Sequence, residues 1–196
     1  MGVIHKGASL LFPALLLLLI TAGQSVAGSY PSTIEALQER YSDEISAHRK
    51  YNIYAVQACK EGYPNIAHLF RALASSEAVH GRNFKTILNK LGVKAGVESH
   101  PIDSGSTRSN LKQAATVERD EIDITYPEIL AQIKDENHHE AIRNITYAWK
   151  SEKQHRELIV KIQKASSSLF GLLVKRIEGK DSNIHVCQVC GSTLLD

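Results

Sequence analysis

The stretches Ser-Glu-Ala-Val-His at 76–80 and Ser-Glu-Lys-Gln-His at 151–155 decide the fold of this 196-residue chain, because each places one Glu-x-x-His motif on a predicted helix. Residues three positions apart project from the same face of a helix, so the two side chains of each motif can reach a common point. Leu73 and Phe84 flank the first motif, and Ile145 and Ile159 flank the second. The motifs therefore lie on apolar core stripes and not on solvated faces.

Four long segments of the chain are predicted to be helices. Gly62 and Pro64 separate the first from the second, and residues 135–137 form the turn between the third and the fourth. Pro127 should bend the third helix. The 17-residue connector 92–108 can span roughly 55 Å when extended, whereas a helix of about 28 residues is roughly 42 Å long, so the connector can cross the whole bundle. The fold class is therefore all-α, a four-helix bundle with one long crossover connection. The predicted helices are about 33–60, 64–91, 109–134 and 138–165, with a continuation of the last to 177.

Three further acids lie on the other two helices. Glu44 is on the first helix, and Glu118 and Glu121 are on the third. Counted from the nearest turn, one carboxylate from each helix lies at the same height along the bundle, to within one helical turn. The two halves of the chain also repeat, as a duplicated helical hairpin would. Glu77 and Glu152, His80 and His155, and Tyr51 and Tyr126 are each 75 residues apart, and Glu44 and Glu118 are 74 apart.

This set of side chains is typical of a site for two metal ions. One uncompensated carboxylate on a core stripe would cost several kcal/mol, so the five acids together require cations or protons. Carboxylates combined with imidazoles suit iron or manganese, whereas a closed zinc site more often uses cysteine and histidine. One glutamate from each of two helices, together with Glu-x-x-His from each of the other two, is the ligand set of di-iron carboxylate bundles.

The first 27 residues are predicted to be a signal peptide. Lys6 supplies a positive flank, Leu10–Ala22 is an apolar run, and Ser25 and Ala27 are the small residues that a signal peptidase reads. As a helix the apolar run would span roughly 20 Å, less than the roughly 30 Å hydrocarbon core of a bilayer, and the alternative is an uncleaved membrane anchor. We therefore expect an exported protein, periplasmic or otherwise extracytoplasmic. The formal net charge of +2 does not indicate a nucleic-acid partner.

Residues 32–165 resemble the rubrerythrin family. The resemblance implies a ferritin-like di-iron bundle at 28–178, between the signal peptide at 1–27 and a short tail at 179–196. It is carried by Glu-Ile-Ser-Ala-His-Arg-Lys-Tyr at 44–51, Glu-Gly-Tyr-Pro-Asn-Ile-Ala at 61–67, Ser-Glu-Ala-Val-His at 76–80, Gly-Ser-Thr-Arg-Ser-Asn-Leu-Lys at 105–112, Glu-Arg-Asp-Glu-Ile-Asp-Ile-Thr-Tyr-Pro-Glu at 118–128 and Ser-Glu-Lys-Gln-His at 151–155.

The resemblance implies two iron ions held by seven side chains. It also implies that peroxide takes one electron from each ferrous ion and leaves as water, while the carboxylates neutralise the charge of the metals. The implied ligands are Glu77 and Glu152 as bridges, Glu44 and Glu118 as terminal ligands, His155 on one iron, and His80 and Glu121 as a pair that exchanges on the other iron.

Three residues carry the catalytic part of the resemblance. Glu121 is the informative one, because a plain six-ligand ferritin-like site does not need it, and the resemblance implies that it favours the oxidised state. Tyr51 and Tyr126 are similar to the family's tyrosines beside the metal ligands. The alternative for each tyrosine is ordinary core packing with a satisfied hydroxyl.

The tail departs from the family pattern. Val-Cys-Gln-Val-Cys-Gly at 186–191 resembles the first cysteine knuckle of a rubredoxin-like tail, but no second knuckle follows. A rubredoxin-type Fe(Cys)₄ site needs four thiolates, so it is not expected within one chain. Cys187 and Cys190 could be a truncated remnant, half of a site shared between chains, or a disulfide, which is the ordinary state of such a pair outside the cytosol. Cys59 is expected to be a small packed side chain.

The sequence thus predicts a di-iron peroxidase that reduces hydrogen peroxide to water in oxidative stress defence. Its electron donor is expected to be another protein, which the sequence does not identify, and the chain is expected to form a homodimer. One alternative is a ferroxidase or iron-handling protein that uses the same bundle with Fe(II) and O₂. The other is a non-enzymatic redox sensor that signals through Cys187 and Cys190, which Glu121→Ala would hardly affect.

Overall fold

The computed structural model describes Gly2 and residues 29–98, 100–163 and 184–195. The predicted signal peptide and the continuation of the last helix to 177 lie outside these residues. No helix of the described part is long and apolar enough to cross a membrane. Its elements are α1 Pro31–Lys60, α2 Pro64–Lys90, α3 Thr107–Asp120, a π-helical turn Glu121–Thr125, α4 Tyr126–Ile133, a 3₁₀ turn Lys134–Glu136, α5 His139–Gln163, β1 Ile184–Val186 and β2 Thr193–Leu195.

The predicted four-helix bundle is confirmed. Its four members are α1, α2, the continuous run from α3 through the π turn to α4, and α5. Pro31 and Pro64 open α1 and α2, where the missing N–H is not needed. Gly62 and Gly92 adopt positive φ angles just beyond the ends of the same two helices. Ser106 begins α3, because its hydroxyl accepts a hydrogen bond from Ser109 N at 3.2 Å.

The long connector crosses the bundle along α1. The side chain of Gln38 donates to Lys94 O at 3.2 Å and accepts from Gly96 N at 3.3 Å. At the far end of the crossover, the carboxylate of Glu61, which follows α1, accepts from Thr107 N at 3.0 Å. Helix α3 therefore begins at the end of the bundle where α1 ends, as the length of the connector predicted.

Two apolar clusters fill the bundle, and the predicted ligand layer separates them along its axis. Burying one large apolar side chain stabilises the fold by about 1.5–3 kcal/mol, so these clusters help to offset the cost of the buried acids. One cluster includes Tyr54, Phe70, Leu73, Leu111 and Ile159, and the other includes Leu37, Phe84, Leu88, Ile133 and Ile145.

The third bundle helix is wider in the middle than the sequence predicted. Pro127 was expected to bend a regular helix, but it follows the π turn and lies in the first turn of α4. In the π turn Tyr126 N donates to Glu121 O instead of to Ile122 O. Ile122 O therefore lacks a donor from the helix backbone, and the indole N–H of Trp149 donates to it at 2.9 Å. A side chain of α5 thus satisfies the carbonyl that the π turn leaves without a helical partner.

Two other features differ from the sequence analysis. Cys59 is exposed near the end of α1, where it accepts from Arg71 Nη2 at 3.2 Å, so the expectation of a packed side chain was wrong. Cys59 lies on the solvent side of the last turn of α1, whereas the preceding Ala58 is buried. The tail also contains strands, since β1 and β2 pair antiparallel around the Cys-x-x-Cys turn.

Glu136 links the two halves by capping α1, and its removal should destabilise the bundle. Its carboxylate accepts hydrogen bonds from Ser32 N at 2.7 Å and from Thr33 N at 2.8 Å. It thereby satisfies free N–H groups at the start of α1, as an N-cap side chain does. We expect Glu136→Ala to lower the free energy of unfolding by about 1 kcal/mol, measured by chemical denaturation. Glu35→Ala, at an exposed position of the same helix, is the matched control and should change little.

The effect of Glu136→Ala should also depend on pH. Hydrogen bonds from Thr33 and Ser32 outweigh the slight burial of Glu136 and lower the pKa of its carboxyl. The stabilisation is therefore fully present above the pKa of the unfolded chain, and it disappears as the pH falls through the lowered value. An equal effect in strong acid would contradict a role for the ionised carboxylate.

Candidate metal centre

Six of the seven predicted ligands meet in one buried layer of the bundle. Each of the four bundle helices contributes a carboxylate, and α2 and α5 each add a histidine from the next helical turn. None of the six residues exceeds 5% exposure. The six are Glu44 from α1, Glu77 and His80 from α2, Glu118 from α3, and Glu152 and His155 from α5.

The six side chains form two overlapping groups, each able to hold one metal ion. Ligand atoms of the first group lie within 4.8 Å of one another, and the same is true of the second. Glu77 and Glu152 belong to both groups. Two ions in these positions would share two carboxylates, which is the arrangement of a dinuclear centre. The first group is completed by Glu44 and His80, and the second by Glu118 and His155.

Both histidines direct the same ring atom at the acids. Nδ1 of His80 lies 3.0 Å from Glu77 Oε2 and 3.3 Å from Glu152 Oε1. Nδ1 of His155 lies 2.9 Å from Glu152 Oε2 and 3.2 Å from Glu77 Oε1. The Glu-x-x-His spacing produces this geometry, because side chains three residues apart lean over the same helical turn. Nδ1 is therefore the atom that would bind a metal.

Several ligand atoms have no hydrogen-bond partner among the described residues. Glu118 Oε2 is one of these atoms, and Glu77 Oε1 and Glu152 Oε1 are two more, which have an imidazole nitrogen nearby at 3.2 and 3.3 Å but no hydrogen bond. Buried acceptors of this kind are rare, because each carries the cost of its lost hydration. Three such oxygens beside two imidazole nitrogens fit a pair of divalent cations. The donor set of oxygens and nitrogens without thiolate suits iron.

Without metal, the buried carboxylates repel one another and lack enough positive charge to balance them. Burial raises the pKa of Glu44 to about 7. Burial and the charge of Glu152 raise the pKa of Glu118 well above its usual range. Burial alone would lower the pKa of His155, but the charges of Glu77 and Glu152 raise it to about 10. In the absence of metal, protons must therefore compensate the negative charge of the layer.

The two predicted tyrosines each contact a ligand from the opposite half of the chain. The hydroxyl of Tyr126 donates to Glu44 Oε1 at 2.8 Å, and the hydroxyl of Tyr51 donates to Glu118 Oε1. Burial, with the charges of Glu118 and Glu44 respectively, raises the pKa of Tyr51 and Tyr126 well above the usual range. Both phenols therefore keep their protons and fix one oxygen of each carboxylate.

Glu121 is the predicted ligand that the structure does not bring into either group. It begins the π turn, its side chain is 25% exposed, and Oε1 lies 3.5 Å from Arg40 Nη1. Burial and the charges of Glu152 and Glu44 raise the pKa of Glu121, while Arg40 opposes this. It thus lies at the edge of the centre, held by a cation.

Arg40 is a site residue that the sequence analysis missed. It is 4% exposed and its guanidinium carbon lies 5.8 Å from the ring centre of Tyr126. It also pairs with Asp43. The available signal was its spacing, because a residue four positions before Glu44 lies on the same face of α1. A buried arginine beside acids balances part of their charge.

The tail hairpin was also missed as part of the site, because nothing in its sequence shows where it folds back. Ser76 Oγ donates to Gly191 O at 2.6 Å, and His155 Nε2 lies 3.2 Å from Thr193 Oγ1. Cys187 and Cys190 are both free thiols, and neither belongs to the two ligand groups found among the described residues. The hairpin therefore covers the outer side of the histidines.

Comparisons with known proteins agree with this centre. The family model described as rubrerythrin matches residues 35–163. Rubrerythrin-2 of Clostridium acetobutylicum is 34% identical over 169 residues, which cover 84% of this chain and 86% of that protein. Nigerythrin of Nitratidesulfovibrio vulgaris is 27% identical over 164 residues, which cover 82% of this chain and 75% of that protein.

Solved structures show the same likeness. Nigerythrin in a mixed-valent state superimposes with a TM-score of 0.70 at 25% identity, covering 83% of this chain and 76% of that one. Desulfovibrio desulfuricans bacterioferritin, described with a di-iron site, gives a TM-score of 0.72 at 18% identity, covering 80% of this chain and 92% of that one. The second comparison shows a shared fold alone.

Metal loading should release protons from the layer. The pKa of His155 is raised to about 10, so it holds a proton at pH 7 in the metal-free chain, and the pKa of Glu118 is raised as well; a metal must displace the protons of this layer. We expect Co(II), a divalent ion that air does not readily oxidise here, to release protons into weak buffer, detected by an indicator dye. The number of protons released should fall as the pH rises through the raised pKa values of these groups. Metal binding without proton release would contradict this account.

Proposed function

The chain belongs to the rubrerythrin family of di-iron oxidoreductases, and on that premise we propose that it is a non-haem peroxidase that reduces hydrogen peroxide to water. The six buried carboxylates and imidazoles would hold the two irons, with Glu77 and Glu152 shared. When bound, the irons supply the two electrons that peroxide reduction needs. The protein's own residues orient the ligands and hold protons.

Tyr51 and Tyr126 have the role of orienting ligands and holding protons. Each phenol donates to a carboxylate that belongs to only one of the two metal groups, so it fixes which oxygen remains free for metal. Their raised pKa values keep the protons on the phenolic oxygens. These protons lie beside the site where peroxide oxygens would become water.

The observation that carries the peroxidase proposal is the fifth carboxylate, Glu121, which is additional to the six residues of the two metal groups. Six ligands would serve a ferroxidase equally well. Glu121 is additional, and the π turn presents it beside the centre while Arg40 holds it at the edge. π turns are rare in helices and occur frequently at functional sites. A carboxylate that can leave its arginine for the metals would stabilise the more highly charged oxidised centre.

The proposal predicts a preference for peroxide over O₂. The mature chain would be loaded anaerobically with two Fe(II) and mixed with hydrogen peroxide or with O₂, while the diferric absorbance is followed. We expect oxidation by peroxide to be at least tenfold faster. An equal or faster reaction with O₂, with continued turnover of added Fe(II), would instead support a ferroxidase.

A pair of variants on the π turn sharpens the same test. Glu121→Gln should slow oxidation by peroxide about tenfold or more, since the amide brings no charge to the oxidised centre. Asp123→Asn is the matched control, because Asp123 is an exposed acid of the same turn, 3.8 Å from Arg156. Equal rates of oxidation by peroxide in the two variants would show that Glu121 has no special role in the reaction, and would weaken the peroxidase proposal.

We further propose that the protein works outside the cytosol. The support is the order of charge, apolar run and small residues in 1–27. Mass spectrometry of the protein from fractionated cells should give a mature chain that begins at Gly28. An intact chain in the cytosolic fraction would contradict export, and an intact chain in the membrane fraction would indicate an uncleaved anchor.

A further inference from the structure

We propose that Cys187 and Cys190 are the internal electron donor of this protein, a dithiol that passes two electrons to the metal centre and closes to a disulfide. The inference rests on the proposed function and deepens it, because it names the donor. It depends on three observations: where the hairpin is seated, what it touches, and the state of its thiols.

The hairpin is seated on α2 and α5 by polar contacts of residues 188–193. Asn83 Nδ2 donates to Val189 O at 2.9 Å, and Arg82 Nη2 donates to Gln188 O. On the other side Thr193 N donates to Gln154 Oε1 at 3.1 Å. These partners come from both helices that carry the histidines. The hairpin is therefore held in one orientation over them.

The turn of the hairpin lies directly on His80. A Cβ atom added at Gly191 would lie 2.2 Å from His80 Nε2, so only a glycine allows this approach. His80 Nε2 has no hydrogen-bond partner among the described residues, while Nδ1 of the same ring faces the acids. Cys190 adjoins Gly191 in the chain. One imidazole ring therefore separates the thiol-bearing turn from the metal-binding layer.

The second histidine is also in contact with the hairpin. His155 Nε2 lies 3.2 Å from the hydroxyl of Thr193, which is 4% exposed. Both imidazoles thus present Nδ1 to the acids that would hold the metals and Nε2 to the tail. Ordered contacts of this kind give the electrons short routes from the tail to each ion.

The thiols themselves suit two-electron chemistry. Hydrogen bonds from the backbone of Cys190 and Val189, and from the Cys190 thiol, lower the pKa of Cys187. A lowered pKa favours the thiolate, which is the form that is oxidised. The Cys190 thiol lies 3.3 Å from Ser192 Oγ. The exposed tip at Gln188 and Val189 leaves the pair open to an external dithiol protein that would reduce it again.

The electrons and atoms balance for one turnover. The two thiols lose two electrons and two protons as the S–S bond forms. Hydrogen peroxide takes up two electrons and two protons as its O–O bond breaks, which gives two water molecules. A dithiol thus delivers both electrons that one peroxide needs, and a four-thiolate iron site is not required.

The test is an anaerobic titration of the ferrous, fully reduced mature chain with hydrogen peroxide. We expect the first equivalent per chain to remove two thiols and to produce no diferric absorbance, which should appear only with the second equivalent. Thiols are counted with a chromogenic disulfide reagent, and the tail peptide is weighed by mass spectrometry. In Cys187→Ser/Cys190→Ser the absorbance should rise from the first addition.

Two controls separate the tail from other thiol chemistry. Cys59→Ser removes the exposed cysteine of α1. In this variant the diferric absorbance should still appear only with the second equivalent of peroxide, a delay of one equivalent. Metal-free wild-type chain should keep its tail thiols over the same time. Absorbance from the first addition to the wild-type chain with its thiols intact would overturn the proposal, as would equal loss of tail thiols without metal.

A third variant tests the seating of the hairpin while both cysteines stay in place. Gly191→Ala should move the turn away from His80. The diferric absorbance should then appear from the first addition of peroxide, without the delay of one equivalent. Gly96→Ala, where an added Cβ would meet nothing within 4 Å, is the matched control and should keep the delay. A persistent delay in Gly191→Ala would show that the electrons do not pass through this contact, and would overturn the proposal.

Failure of the donor proposal is distinguishable from failure of the peroxidase proposal. If peroxide does not oxidise even the double serine variant, the peroxidase function fails. The ferrous wild-type chain would then be oxidised with a limited amount of O₂ and the thiols counted in the same way. Loss of two tail thiols would still support the dithiol donor, and three intact thiols would overturn it.

Discussion

The structure depends on burying acidic side chains in a single layer between two apolar clusters. Carboxylates removed from water repel one another and lose their hydration, so the layer is stable only when positive charge or protons enter it. The other features of the site follow from this constraint. The histidines point Nδ1 inward, Arg40 lies beside the layer, and the tyrosines donate to the acids. A metal pair is the form of positive charge that this arrangement fits best.

The layer is built by two similar halves that support each other. Tyr51 of the first half donates to Glu118 of the second, and Tyr126 donates to Glu44 in return. The helix ends follow the same pattern. Glu61 accepts from the first residue of α3, and Glu136 accepts from the first turn of α1. Each half thus orients one ligand of the other and supplies a carboxylate to the start of one of its helices, which ties the metal site to the folding of the whole bundle.

The bundle and its convergent ligands were predictable because they follow from local spacing. Glu-x-x-His fixes two side chains relative to one helix, and the turn positions fix the heights of the helices. The position of Glu121 was not predictable in the same way. It depends on a π turn whose freed carbonyl is satisfied by Trp149, a residue 27 positions further along the chain. Side-chain partners from distant elements leave no periodic signal.

The tail and the exposed cysteine were unpredictable for a related reason. The sequence shows a Cys-x-x-Cys turn, but its seat on α2 and α5 depends on isolated contacts such as Ser76 with Gly191. Cys59 directly follows the buried Ala58, so its exposure depends on a difference of one residue in the last turn of α1. Composition indicates that a cysteine is usually buried, and it does not indicate which one is not.

The π turn has a consequence for the history of the chain. The corresponding residues before it, Glu44 and Glu118, are 74 positions apart, whereas those after it, Tyr51 and Tyr126, are 75 apart. One half therefore carries one more residue than the other between ligand and tyrosine, and the π turn at Glu121–Thr125 lies within that interval. A single-codon insertion into one copy of a duplicated hairpin would produce this difference. The wider turn absorbs the added residue, so that Tyr126 keeps its register with Glu44 while Glu121 is brought to the edge of the metal layer.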